Sequence, residues 1–186
     1  MNRCPWGDDP LLIEYHDKEW GTQVHDERLH FEFLVLETMQ AGLNWALILK
    51  KRNNFKKALN NFKPEIIVKY KQDKINELFK DSGIIRNKLK LNSIINNAKC
   101  FLEVQKEFKT FNKYIWSFVN NKVIHNKWKD SSDVPVTTKI SDNLAKDLKK
   151  RGFKFLGSTT VYAHMQSIGM VNDHLTRCFR WKELQK

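Results

Sequence analysis

Cysteine, proline and glycine are all scarce, with three, four and seven residues in a chain of 186. The cysteines, Cys4, Cys100 and Cys178, are odd in number and widely scattered. That excludes a disulfide framework and leaves metal binding or plain burial. No linker rich in Pro, Gly or Ser, no repeat and no low-complexity tract breaks the chain, so one domain over residues 1–186 is expected. No apolar run approaches the roughly 20 residues that span a bilayer, and the segment Arg3-Cys4-Pro5-Trp6 leads into acidic residues rather than an apolar signal core. A cytoplasmic protein without a membrane partner is the expectation. Phosphate-binding loop, dinucleotide fingerprint, serine-hydrolase elbow and His-Glu-x-x-His are all missing, which excludes those classes at the motif level.

Acidic residues are also few, 21 against 33 Lys and Arg, leaving a net charge of +12 and a pI near 9.6. Such a charge suits a polyanion, because basic side chains gain affinity by releasing counterions from phosphates. The 41% of hydrophobic and 12% of aromatic residues exclude a disordered polycation and supply a core. Apolar residues recur at helical spacing over Glu27–Gln40, with Asp26 as N-cap and Gly42 as the stop, and a further helix opens near Asn44. Helical patterns follow over 64–70, 74–80, 87–106, 112–121, 141–150 and 158–168, whereas β-branched runs are short. The fold class is read as all-α. Between 74 and 100, one amphipathic helix ends at Gly83 and a basic helix follows, as in a helix-hairpin-helix whose glycine takes positive φ and whose second helix offers free N–H groups to a phosphate. An ordinary αα-corner fits the same pattern.

Three constellations carry chemistry. Cys4 with His16, and His174 with Cys178 four residues apart on one face if helical, would make a Cys2His2 set closing the two ends of the chain against each other. Four protein ligands leave no open position, so such a metal would be structural; read singly, each residue also suits plain burial or a solvated imidazole. Helical geometry turns Glu37 toward the apolar face of its helix, where it is either a core acid with a hydroxyl or Arg partner or an acceptor on a pocket floor. Trp6, Tyr15, Trp20 and Trp45 accompany it, and flat aromatics beside a carboxylate suit a planar, electron-poor heterocycle. Between Glu37 and Trp45, the turn Gln40-Ala41-Gly42-Leu43-Asn44 presents an apolar tip of the kind that enters a base stack, or merely caps a helix. Basic clusters at 50–52, 56–57, 86–90 and 149–154 could line a phosphate track.

These segments together resemble bacterial 3-methyladenine DNA glycosylase I, the Tag family. The resemblance runs almost end to end through Arg3-Cys4-Pro5-Trp6, Tyr15-His16-Asp17-Lys18-Glu19-Trp20-Gly21, Gln40-Ala41-Gly42-Leu43-Asn44-Trp45, Gly83-Ile84-Ile85-Arg86, Arg151-Gly152-Phe153-Lys154-Phe155 and Gly169-Met170-Val171-Asn172-Asp173-His174. It implies a helix-hairpin-helix glycosylase with structural Zn2+ on Cys4, His16, His174 and Cys178. It implies Glu37 as the catalytic acceptor in a base pocket of Trp6, Tyr15, Trp20 and Trp45, with Gln40 and Leu43 filling the gap in the duplex and Gly83, Ile85 and Arg86 holding the DNA backbone. The expected activity is hydrolysis of the N-glycosidic bond of 3-methyladenine in double-stranded alkylated DNA, without lyase activity, by a monomer associated with a bacterial nucleoid. One departure is Leu12, where several family members carry tyrosine. The alternative from another class is a non-catalytic zinc-stapled protein that binds DNA or recognises damage.

Overall fold

The computed structural model describes residues 2–185; the two ends of the expected domain, 1 and 186, lie outside the described residues. Among the described residues ten α-helices follow in order: α1 Pro10–Lys18, α2 Glu27–Gln40, α3 Trp45–Ala58, α4 Pro64–Ile67, α5 Gln72–Lys80, α6 Lys88–Phe108, α7 Phe111–Ser117, α8 Lys139–Lys150, α9 Ser158–Ser167 and α10 Phe179–Glu183. The fold is mostly helical, as expected. α1 and α10 were not read from the sequence. Each is short, and α1 is disguised by the loop-like Pro10, which here occupies the first helical turn behind the N-cap Asp9. Two-residue strands, β1 Ile124–His125 and β2 Val171–Asn172, pair in parallel, with Ile124 opposite Val171. Pairing so brief leaves no alternating pattern for a sequence to display.

α2 is the axis of the molecule. Every residue from His30 to Met39 is buried, so all faces of the helix are covered rather than one stripe. It packs against α3, α6, α7 and α9. Its start is fixed by Asp26, whose carboxylate accepts from the Leu29 N–H at 2.8 Å, and Gly42 at φ +77° turns the chain toward α3. Burial on every side forces its polar groups to find partners. Glu32 is 3% exposed and accepts from Arg28 at 2.7 Å and from Arg52 of α3 at 2.7 Å; Arg52 also grips Glu19 behind α1. This network fixes α1, α2 and α3 relative to one another.

Gly169 lets the C-terminal segment approach the N-terminal one. Its φ is +73°, and a Cβ there would meet the Thr22 backbone at 2.5 Å, a distance no side chain tolerates. The contact is sealed by the Val24 N–H donating to the Ile168 carbonyl at 3.0 Å. Among the described residues, no helix is long and apolar enough to cross a membrane.

Candidate functional site

A cavity of about 610 Å3 lies where α1, α2, α3 and α9 converge. Trp6, Tyr15, Trp20, Glu37 and Trp45, scattered over 40 residues of sequence, all line it, as does Gln40 at the end of α2. The tertiary structure thus brings the expected pocket residues together. The Tyr15 and Trp45 ring centroids are 5.3 Å apart and those of Trp6 and Trp20 are 4.4 Å apart, so the wall is a continuous aromatic surface. Leu12 also lines the cavity.

Glu37 is 2% exposed. Its Oε1 accepts from Ser167 Oγ at 2.7 Å, while Oε2 has no partner. Ser167 Oγ in turn accepts from the Tyr15 hydroxyl at 3.0 Å. Burial pushes the Glu37 carboxyl up to about 7, against which the Ser167 hydrogen bond works only in part. The Trp45 indole N–H is likewise buried without an acceptor. Glu37 Oε2 and the Trp45 indole N–H are thus an unpaired acceptor and an unpaired donor on two residues that line the aromatic cavity. Sequence reasoning missed Ser167, because a hydroxyl within an ordinary helical run carries no signal of its own.

It also missed Asp173, a second carboxylate at the cavity. Oδ1 accepts from Asn126 at 2.6 Å and from the Trp128 indole at 2.8 Å, and Oδ2 accepts from Tyr162 at 2.6 Å and Gln166 at 2.8 Å. Four donors fill the acceptor capacity of a carboxylate. Asp173 therefore ties α9 to the segment after β1. Its position beside His174 was the available signal.

Next to the cavity, Cys4, His16, His174 and Cys178 are all buried, and their ligand atoms lie within 4.8 Å of one another. Cys178 Sγ is 3.5 Å from both His16 Nε2 and His174 Nδ1, and Cys4 Sγ is 3.7 Å from His174 Nδ1. Ligands at zinc bond lengths on a tetrahedron stand about 3.3–3.8 Å apart, so the donor set and spacing fit that ion. The outer nitrogens are held as well. His16 Nδ1 donates to Asp17 at 2.8 Å and His174 Nε2 donates to the Trp20 carbonyl at 3.0 Å, leaving the inner nitrogens as lone pairs. Hydrogen bonding with Cys4 draws the Cys178 thiol well below the ordinary thiol range, with His16 and His174 adding to the effect, and pushes Cys4 up. The His174–Cys178 segment is a turn rather than a helix, closed by the Cys178 N–H to the Leu175 carbonyl at 2.7 Å, with Cys178 then capping α10. A turn brings the pair onto one side as effectively as a helical face.

Leu43 is 40% exposed beyond the end of α2 and outside the cavity lining. α5 and α6 are joined through residues 81–87, where Ile85 is half-buried and Arg86 exposed. The expected positive φ at Gly83 is corrected by the structure, because its φ is not in the left-handed region. A Cβ there would stand 2.9 Å from Asp81 Oδ1, which accepts the Gly83 N–H at 2.7 Å, and 3.1 Å from Asn54, both exposed side chains that can shift. Two members of the expected phosphate track are also engaged elsewhere. Arg52 serves Glu19 and Glu32, and Arg151 pairs with Glu107 and Asp147 at 2.7 and 2.6 Å.

Fold and cavity define a basic helical protein with an open, aromatic-walled cavity and a buried carboxylate at it. A family model described as methyladenine glycosylase matches residues 6–181, and the chain belongs to that family. A DNA-3-methyladenine glycosylase of Haemophilus influenzae is 47% identical over 177 residues, covering 95% of this chain and 96% of that protein. A crystal structure of 3-methyladenine DNA glycosylase I is 42% identical with a TM-score of 0.93, covering 96% of this chain and 98% of that one. A Staphylococcus aureus 3-methyladenine DNA glycosylase I, solved to show the basis of 3-methyladenine recognition, is 35% identical with a TM-score of 0.93, over 96% of both chains.

Proposed function

We propose that this protein removes 3-methyladenine from alkylated double-stranded DNA by hydrolysing the N-glycosidic bond, acting as a monomer in the cytoplasm. The observation that carries this reading is Glu37, buried, with one oxygen open, among the aromatic faces of Tyr15, Trp45, Trp6 and Trp20. Methylation at N3 places a positive charge on adenine and weakens its bond to the sugar, so the base departs neutral and little acid catalysis is needed. The protein's task is to take the nucleotide out of the stack, at an unstacking cost that is lowest for a damaged base, and to hold the cation. Glu37 accepts from the base edge and, once ionised, favours its charged form. Gln40 and Leu43 fill the gap left in the duplex, while Gly83, Ile85 and Arg86, in a helix-hairpin-helix role, hold the backbone.

Water is the nucleophile. Among the described residues lining the cavity none is a lysine, which supports a reaction without a covalent amine intermediate and hence without strand cleavage. Asp173 is saturated by four donors and does not serve as general base. Cys4, His16, His174 and Cys178 hold one structural Zn2+, which supplies rigidity to the wall carrying Trp6 and Trp20 and takes no part in the reaction.

Chromatography of bases released from methylated duplex DNA tests the proposal, with wild type and Glu37→Gln compared. The wild type is expected to release 3-methyladenine, and the variant to release it at least tenfold more slowly. An absence of release by folded, metal-loaded wild type would instead leave a non-catalytic damage-binding protein, and nicking of abasic sites would overturn the monofunctional part.

A further inference from the structure

Phe155 has a backbone conformation that its side chain does not favour. Its φ is +59°, in the left-handed region where glycine or asparagine is the low-strain choice and a bulky aromatic is an outlier. The side chain is nevertheless 40% exposed, while Phe153 and Leu156 on either side of it are 4% and 6% exposed. Extended chain alternates sides, so Phe155 would follow Phe153 into the core. The left-handed turn is what sends Phe155 out and Leu156 in.

The surrounding structure holds that turn firmly. Asn97 of α6 grips both backbone groups of Lys154, accepting its N–H at 2.8 Å and donating to its carbonyl at 3.0 Å, and Asn96 donates to the Gly152 carbonyl at 2.7 Å. Seven residues earlier on the same face of α6, the buried Lys90 donates to the carbonyls of Met39, at 2.9 Å, and Ala41, the two residues flanking Gln40. Lys90 and Asn97 thus stand about 10 Å apart along one strip of α6. That strip fixes two loops side by side, each of which leads to the cavity. Gln40 lines it and is followed by the exposed Leu43; Thr159 lines it and is preceded by the exposed Phe155. Lys149, Lys150 and Lys154 around Phe155 are exposed as well.

We infer that Phe155 is a second apolar contact to the duplex, on the same rim as Leu43 and two turns of α6 further along. This rests on the duplex-DNA reading above and goes beyond it in assigning a contact to the loop before α9. An exposed aromatic among lysines matches a nucleic acid, whose bases and sugars offer flat apolar surface beside phosphates.

Phe155→Gly separates this role from a structural one. Fluorescence anisotropy with a duplex bearing an abasic-site analogue, at fixed salt, is expected to show affinity about tenfold weaker than wild type, with Phe155→Trp close to wild type. The thermal midpoint of Phe155→Gly is expected to equal or exceed that of the wild type, because glycine relieves the backbone strain, and titration with free 3-methyladenine is expected to be unchanged. Unaltered duplex affinity in Phe155→Gly, or weaker binding matched by a lower thermal midpoint, would overturn the inference. Failure of the wild type to bind free 3-methyladenine would sink the base-pocket reading instead, and the duplex measurement stands apart from that result.

Discussion

Glu32 and Glu37 occupy the same buried helix, and their partners give them different chemistry. Glu32 meets two guanidinium groups and is a structural ion pair, whereas Glu37 has one hydroxyl and an open oxygen. The burial that pushes Glu37 up to about 7 makes ionisation costly in the folded state. A carboxyl that holds its proton more tightly when folded loses stability as pH rises from its ordinary range through 7, by about 3 kcal/mol in all. Glu37→Gln removes that loss. Thermal melts are expected to show the variant more stable than wild type by about 1–3 kcal/mol at pH 8 and indistinguishable from it at pH 4. Affinity for the free modified base follows the opposite course, rising with ionisation of Glu37 in the wild type and flat with pH in the variant. The sequence placed Glu37 inside the fold; it did not show that Glu32 is equally buried, because neutralisation depends on Arg52, twenty residues away in sequence.

At the scale of elements, the contact between α2 and α9 carries a second titratable burden. His164 of α9 is 1% exposed, with neither ring nitrogen paired, and burial brings it down to about 3, helped slightly by His30 of α2. A histidine depressed in this way stays neutral in the folded chain while the unfolded chain takes up a proton. Stability is therefore lost as pH falls below the ordinary imidazole range toward 3, at about 1.4 kcal/mol per pH unit. His164→Leu keeps the volume and removes the proton site. The stability of the variant relative to wild type, taken from urea unfolding at each pH so that Glu37 cancels, is expected to be about 2 kcal/mol greater at pH 5 than at pH 7.5. The helices themselves were largely legible: α2 begins and ends where Asp26 and Gly42 indicate and α3 begins after Asn44, but α3 runs to Ala58 where the sequence suggested only a short helix. The exact extent of α6 and α7 was not, since Lys109 at φ +72° separates them without a glycine to mark the break.

Across the whole molecule, the Cys4, His16, His174 and Cys178 cluster joins the first and last segments of the chain directly behind the pocket wall. Were zinc held there, as proposed above, its removal would leave two buried thiols and two imidazoles without the ion that draws them together. Strong chelation is expected to lower the thermal midpoint by about 10 °C or more, reflecting several kcal/mol in a chain of this size, and zinc but not magnesium is expected to restore it. A melt unaffected by chelation in protein shown to contain zinc would separate the cluster from the stability of the closure.

The sequence by itself determined the helical class, the basic surface, the main helix boundaries and the residue types able to bind a metal or a flat base. Those properties are local, resting on periodicity, capping and side-chain chemistry within a few residues of one another. Tertiary structure decided which of the candidates meet. It brought Ser167 to Glu37 across 130 residues and surrounded Asp173 with donors from two segments, α9 and the stretch after β1. It also engaged Arg52 and Arg151 in ion pairs, and it kept Gly83 out of the left-handed region. Each outcome depends on packing between distant segments, because whether a buried polar group is satisfied is set by neighbours that its own stretch of sequence does not contain.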